Sequence, residues 1–173
     1  MTSDRPTQQN KHHHRRRLGR AQDVDRNDPY RRPAKLREPS VCSQCGAVYR
    51  KGRWSWGAPP ADAEKVTCQA CHRVNDRFPA GLVTLSGKYL QDLQQRSELL
   101  NLIRHQERTE SAEHPHNRII ELQDGPDGIS VTTTDIHLPR RIGEAIRSAH
   151  GGELNLPFEE DGYFIRVIWS RDT

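Results

Sequence analysis

The hydrophobic positions in the C-terminal half of the chain alternate between strand-like and helix-like spacing. Short apolar runs predict strands at residues 82–85, 118–123, 129–134, 153–156 and 163–169. Helical spacing predicts one helix from residue 86 to about residue 113, and a second from an N-cap at Asp135 to about Ala149, before Gly151. The order strand, helix, strand, strand, helix, strand, with a possible final hairpin, predicts an α+β domain over residues 80–173 with the ferredoxin-like split βαβ arrangement.

The first of these helices has an apolar stripe and a charged face. Leu90, Leu93, Leu100 and Ile103 follow one another at spacings of three, seven and three residues, which predicts the buried side. The remaining side, which includes Glu110, is expected to be charged and solvated.

The four cysteines of the chain form two CxxC pairs, Cys42 with Cys45 and Cys68 with Cys71, with 22 residues between the pairs. A two-residue gap lets both thiolates of a tight turn face one ion. We therefore predict one structural Zn²⁺ held by all four cysteines in a zinc-ribbon module over residues 41–79. Four thiolates leave no coordination position for water, so the ion is expected to stabilise the fold rather than to catalyse.

Three other uses of the cysteines compete with zinc binding. Disulfides need an oxidising compartment, and the polar start of the chain has no apolar segment of a signal peptide. A thioredoxin-type site needs a CxxC that opens a helix after a buried strand, and no such strand is predicted before either pair. An iron–sulfur cluster also uses four thiolates, and only a metal assay excludes it.

Composition limits the core, and charge divides the chain in two. With 173 residues, of which 32% are hydrophobic, the chain can bury one or two small cores. No apolar run approaches the roughly 20 residues of a membrane span, so we expect a soluble, cytoplasmic protein. Residues 1–80 carry 17 Lys and Arg against 8 Asp and Glu, whereas residues 81–173 carry 10 against 15. This asymmetry predicts that one side of the molecule meets a polyanion.

The first 40 residues are a basic arm with few large apolar side chains. Such a segment cannot bury enough surface to offset its ordering entropy, so we expect it to be disordered on its own. Clustered arginines neutralise phosphates and release counterions, which favours a nucleic-acid arm over an inert solvated tail. Its candidate RNA contacts are Lys11, Arg15, Arg16, Arg17, Arg20, Arg31, Arg32, Lys35 and Arg37.

Basic and aromatic residues alternate directly after the first cysteine pair. Arg50, Lys51 and Arg53 are candidate phosphate contacts, and Trp54 and Trp56 are candidates for stacking on an unpaired base. The alternative is that the tryptophans fill the small core of the metal module. After the second pair, Arg73 and Arg77 are expected to extend the positive surface.

Several histidines raise the possibility of an acid–base site or a second metal. His114 and His116 flank Pro115 at the predicted helix-to-strand junction, and His137 and His150 lie elsewhere. No carboxylate–histidine spacing on one helix face accompanies them, and the chain has no phosphate-binding loop or nucleophile motif. We therefore interpret them as loop histidines and expect a non-enzymatic protein without a small-molecule substrate.

These features together resemble the large-ribosomal-subunit export adaptor family and its small prokaryotic relatives. The resemblance covers roughly residues 41–170 and is carried by the CxxC pairs, the arginine-rich ribbon, the stretches 127–134 and 138–143, and the closing run 163–167. It implies Cys42, Cys45, Cys68 and Cys71 as metal ligands and the ribosome, with the large subunit favoured, as the partner. The chain has fewer CxxC pairs than those adaptors and no room for their later domains, so nuclear export is not implied.

The sequence thus predicts a non-enzymatic factor that docks on ribosomal RNA through its zinc module and arginine-rich arm. Translation silencing or ribosome hibernation is the expected role, with ribosome assembly or quality control as close alternatives. A DNA-associated zinc-ribbon transcriptional regulator and a protein-interaction scaffold remain open as other classes of function.

Overall fold

The structure is a computed structural model, and it describes residues 28–31, 35–157 and 163–173. Within these ranges it contains two β-sheets and three α-helices, so the predicted α+β class is confirmed. No helix in the described ranges is long and apolar enough to cross a membrane.

The first sheet belongs to the segment that carries the cysteines. It has the order β3-β2-β1-β4, in which β1 pairs antiparallel with β2 and parallel with β4. A helix, α1, follows β4. The bounds are β1 Ser40–Cys42, β2 Val48–Arg50, β3 Arg53–Ser55, β4 Glu64–Val66 and α1 Gln69–Asp76.

The second sheet has five strands in the order β6-β7-β5-β9-β8. β5 is parallel to β9 and antiparallel to β7, and the outer pairs β6–β7 and β8–β9 are antiparallel. The two longer helices, α2 and α3, connect β5 to β6 and β7 to β8. The bounds are β5 Gly81–Ser86, α2 Leu93–Glu113, β6 Ile119–Gly125, β7 Gly128–Thr133, α3 His137–His150, β8 Glu153–Asn155 and β9 Ile165–Ser170.

The main core lies between the second sheet and its two helices. Alternate residues of β5 and β9, such as Val83 and Val167, point inward and are fully buried, as the period of two in a strand requires. They pack in one cluster with Leu99 of α2 and Ile142 of α3. The predicted cap of α3 is confirmed, because Asp135 Oδ2 accepts hydrogen bonds from the N–H groups of the next helical turn at 2.7 and 3.0 Å.

The predicted start of the first helix is wrong. Asp92 caps α2 by accepting from the N–H groups two and three residues later, and a short 3₁₀ turn, Lys88–Gln91, precedes it. The helix therefore begins at Leu93, whose side chain is 82% exposed rather than buried. The side buried against the core carries Leu99, Ile103 and Glu110, so the expectation that Glu110 is solvated is also wrong.

A short part of the basic arm, around Asp28 and Tyr30, packs on the folded region. Asp28 and Tyr30 contact α1: the Asp28 carboxylate pairs with Arg73 at 2.5 Å, and the Tyr30 hydroxyl donates to Asp76 at 2.6 Å. The expectation of an unpacked arm therefore does not hold for this short stretch. Residues 1–27 and 32–34 lie outside the described residues.

Candidate metal centre

The two cysteine pairs occupy different local structures that meet at one point. Cys42 ends β1 and Cys45 lies in the turn that follows, whereas Cys68 caps the N-terminus of α1 and Cys71 lies in its first turn. The second pair therefore opens a helix, and the module is a turn joined to a helix terminus rather than two similar turns. The strand before this helix, β4, is exposed at Glu64 and Lys65, so it is not the buried strand of a thioredoxin-type motif.

Local backbone geometry brings the sulfur atoms together. Gly46, at φ +77°, closes the first turn by donating its N–H to the Cys42 carbonyl at 2.9 Å. In the second pair, the N–H of Cys71 points at the Cys68 sulfur at 3.4 Å. Each CxxC segment thus turns both of its side chains to the same side.

The four sulfur atoms are close enough to hold one metal ion. All lie within 4.8 Å of one another, with Cys42 Sγ 3.7 Å from Cys71 Sγ and Cys45 Sγ 3.8 Å from Cys68 Sγ. A tetrahedral ion with metal–sulfur bonds of about 2.3 Å places its ligands about 3.8 Å apart. The donor set and the closest sulfur pairs therefore fit a Cys₄ metal site. Among the described residues, this is the only cluster of three or more metal-ligating side chains.

The surroundings of the thiols act on their pKa values in opposite directions. Burial opposes ionisation of Cys42, but nearby N–H groups outweigh it and lower the pKa of the Cys42 thiol to about 6. Burial, together with the charge of neighbouring thiolates, raises the pKa of the Cys45 and Cys68 thiols. Several thiolates this close together are therefore stable only when positive charge is added to the cluster.

One such positive charge comes from the unit that comprises the second sheet, α2 and α3, which is the second unit of the protein. Arg118, immediately before β6, places its Nη2 3.3 Å from Cys71 Sγ and 3.9 Å from Cys68 Sγ. Burial opposes the charge of this guanidinium, but its hydrogen bond to Cys71 and the neighbouring thiolates outweigh burial and raise its pKa. Arg118 was not predicted from the sequence, since nothing local marks an arginine 47 residues after Cys71 as its neighbour.

The basic hairpin formed by β2 and β3 projects from the metal module. Its turn has Lys51 at φ 50° and Gly52 at φ 75°, and the Glu38 carboxylate accepts both of their N–H groups, at 2.6 and 3.1 Å. Glu38 therefore fixes the turn while the side chains of Arg50 and Arg53 remain exposed. The structure places all three predicted basic contacts of this segment together at the surface.

The two tryptophans after this turn have different environments. Trp54 packs against the cysteine cluster, and its ring lies 5.4 Å from Tyr49 and 5.6 Å from His116, centroid to centroid. Trp56 is 43% exposed and is anchored by its indole N–H, which donates to the Ser111 carbonyl of α2 at 2.6 Å. Trp54 thus belongs largely to the small core, whereas Trp56 offers an exposed ring.

Arg73 is not part of the positive surface. Its side chain is 1% exposed, and its guanidinium lies 4.5 Å from the Tyr30 ring and 5.4 Å from the Tyr163 ring while pairing with Asp28. Arg73 therefore stabilises the packing of α1 against the segments before and after it, and the expectation that it extends the positive surface is wrong.

The other predicted RNA contacts divide into two groups. Arg31, Lys35, Arg37 and Arg77 are exposed. The remaining positions lie outside the described residues, and they are Lys11, Arg15, Arg16, Arg17, Arg20 and Arg32.

The loop interpretation holds for His114 and His116 but is wrong for His137 and His150, which are the first and last residues of α3. Three of these four histidines meet at one place that the sequence did not reveal. His114, His116 and His137 line a cleft together with Trp54 and the C-terminal end of α2. Burial lowers the pKa of His116 to about 4, and the charge of Arg118 acts in the same direction. His116 is therefore neutral near pH 7.

Comparison with known proteins gave no match. No family profile fits the chain, and no curated protein or solved structure is significantly similar to it.

Proposed function

We propose that the protein is a non-enzymatic RNA-binding factor whose Cys₄ site holds one structural Zn²⁺. Four thiolates are the donor set of structural zinc sites, and they leave no position at which the metal could bind a substrate. Elemental analysis of the purified protein tests the metal directly. About one zinc per chain is the expected result, and iron with acid-labile sulfide would instead indicate an iron–sulfur cluster.

The observation that carries the RNA proposal is the exposed hairpin on the metal module. Arg50, Lys51 and Arg53 lie at the surface within one turn, and the exposed ring of Trp56 follows them. Basic side chains that follow a phosphate backbone, next to an aromatic ring that stacks on a base, are typical of single-stranded nucleic-acid binding. A metal-stabilised module holds such a surface rigid, which lowers the entropy lost on binding.

We further propose that the bound RNA is ribosomal and that the protein docks on the ribosome, the large subunit being favoured. This choice of partner rests on the resemblance to the export adaptor family. The positive charge of residues 1–80 is consistent with a polyanionic partner. Silencing or hibernation of ribosomes is the proposed role, with assembly or quality control as related roles.

Removing the charges of the hairpin tests the proposal. In a fluorescence-anisotropy titration, the triple variant R50Q/K51Q/R53Q should bind a labelled single-stranded RNA more weakly than the wild type. Because each phosphate contact contributes about 0.7 to the slope of log K against log salt, the slope should fall by about 2. The matched control is R104Q/R108Q/R147Q, which removes three exposed charges from the second unit.

Sedimentation through a sucrose gradient tests the partner. The wild type should migrate with ribosomes at low salt and return to the top after RNase treatment, whereas the triple hairpin variant should stay at the top throughout. A wild-type protein that never enters the ribosomal fractions would rule out stable docking. Binding to duplex DNA that exceeds binding to RNA would support the DNA-associated alternative.

A further inference from the structure

A cleft of about 450 Å³ lies where the metal module meets the second unit, apart from the exposed hairpin tip. Its walls are Trp54 of β3, Glu110 of α2, the loop of residues 114–117, and His137 and Arg141 of α3. Sites for small organic ligands have volumes of this size and combine aromatic walls with a few fixed polar groups.

Arg141 places a guanidinium in the cleft that is anchored through Nε and has terminal nitrogens available for a ligand. Its Nε forms an ion pair with the Glu110 carboxylate at 2.9 Å, and Asn117 donates to the other oxygen of the same carboxylate at 3.2 Å. The Arg141 side chain is 58% exposed, and within the described residues its two terminal nitrogens have no partner. A guanidinium anchored at Nε can present these terminal N–H groups to a phosphate.

The cleft also has an aromatic wall, formed by Trp54 and His116. The rings of Trp54 and His116 lie 5.6 Å apart, centroid to centroid, and are tilted by 39°. His116 is neutral near pH 7, and its Nε2 is buried without a hydrogen-bond partner among the described residues. Buried nitrogens without a hydrogen-bond partner are uncommon in folded proteins. His116 Nε2 can therefore form a hydrogen bond with a ligand that packs on the neighbouring aromatic surface.

We propose that this cleft receives one nucleotide of a single-stranded RNA, with its base against the Trp54–His116 wall and its phosphate on Arg141. The proposal rests on the proposed RNA-binding function and names the part of the RNA that is read. An unstacked base can enter such a cleft, whereas the bases of a duplex are held in the helix. Trp56 is anchored to Ser111, the residue next to Glu110, so a strand that stacks on Trp56 lies close to the cleft.

Titration of mononucleotides into isotope-labelled, zinc-loaded full-length protein tests the site by NMR. Each 5′-nucleoside monophosphate should shift the indole N–H signal of Trp54 and the imidazole signals of the histidines that line the cleft. Inorganic phosphate should shift the Arg141 side-chain signals without those of Trp54. If no cleft signal moves at 10 mM nucleotide, or if phosphate alone reproduces all shifts, the proposal is overturned.

Substitution of Arg141 tests the same site with a longer RNA. R141Q should lower the affinity for a single-stranded 12-mer about tenfold, since a charge-assisted hydrogen bond contributes about this much. The adjacent exposed Arg140 does not line the cleft, so R140Q should change the affinity less than twofold. R141K keeps the charge but not the fork, and should fall between them. A thermal melt of each variant shows whether loss of the Glu110 partner has unfolded the protein.

The two proposals fail in different ways. If R50Q/K51Q/R53Q loses RNA binding but R141Q and R141K bind like the wild type, the nucleotide cleft is wrong and the RNA-binding function stands. If the wild type binds neither the 12-mer nor mononucleotides, both are wrong.

Discussion

Replacing Arg118 with leucine should weaken metal binding although Arg118 is not a metal ligand. Its Nη2 lies 3.3 Å from Cys71 Sγ, so in the metal-bound protein it donates a charge-assisted hydrogen bond to a thiolate. It also brings a positive charge to a cluster of four thiolates around a divalent ion, which otherwise has a net charge of −2. The leucine variant removes both the donor and the charge while leaving all four sulfur ligands in place.

Two estimates of the effect agree in magnitude. Loss of a hydrogen bond to a charged group costs about 1.5–3 kcal/mol. Groups that hydrogen-bond to metal ligands typically change metal affinity by about 10–100-fold, which corresponds to about 1.4–2.7 kcal/mol. We therefore expect the zinc dissociation constant of R118L to rise by about 10–100-fold. R118K, which retains a charge but not the planar fork, should lose less.

Competition for zinc against a chromogenic chelator measures this change. The matched control is R104L, since Arg104 is exposed on α2 and has no polar partner among the described residues. Urea denaturation with excess zinc and with a chelator provides an independent readout. Because a ligand stabilises the folded state according to its affinity, the stability gained from zinc should shrink in R118L by about 1.4–2.7 kcal/mol.

The reasoning is refuted if R118L binds zinc within twofold of the wild type. Equal loss of stability with and without zinc would also contradict it, because Arg118 would then stabilise the packing of the two units rather than the metal site.

Three further predictions concern the helix register, a buried histidine and the metal itself. L99A should destabilise the protein by about 2–5 kcal/mol, because Leu99 is fully buried. L93A, at a position that is 82% exposed, should change the stability by no more than about 0.5 kcal/mol. Urea denaturation of the two variants measures this difference, and similar losses of stability would contradict the observed helix register. The pKa of His116 falls from 6.5 to about 4 on folding. Between these pH values the imidazole is protonated in the unfolded chain but neutral in the folded protein. The corresponding stability, up to about 3 kcal/mol, is therefore present above pH 6.5 and is lost as the pH falls towards 4. H116N should therefore show a weaker fall in unfolding free energy between pH 7 and pH 4.5, and parallel curves would argue against this assignment. Removing the metal with a chelator should increase hydrogen exchange at the amide of Cys68 much more than at the amide of Val167. Cys68 lies in the small core built around the four cysteines, whereas Val167 lies in the main core. Equal increases at both amides would show that the two units unfold together.

Features that depend on neighbours in the sequence were predicted well. The CxxC spacing indicated a metal site because two residues are enough for one turn to aim both thiols at an ion. Alternation of apolar residues located the strands of the second sheet, and Asp135 marked the start of α3 because a cap bonds to the next two or three N–H groups.

Features that depend on which elements meet were not predictable in this way. Leu93 fits an apolar stripe, but Asp92 starts the helix at a position that points Leu93 to solvent. Arg73 looked like surface charge, yet Tyr30 and Asp28 approach it from 43 and 45 residues earlier in the chain and enclose it. Arg73 is buried because aromatic rings and a carboxylate converge on it, and no local pattern reports that convergence.

Short-range spacing along the chain was thus enough to predict a mixed α+β unit and a cluster of four cysteines that could hold a metal ion. How the cysteine cluster and the α+β unit are joined became apparent only from the packing of the folded chain. It brought Arg118 to the sulfur atoms of Cys68 and Cys71, and it assembled Trp54, His116 and Arg141 around one cleft. The physical reason is that charge compensation and cleft formation act over a few ångströms in space, between residues that lie tens of positions apart in the chain.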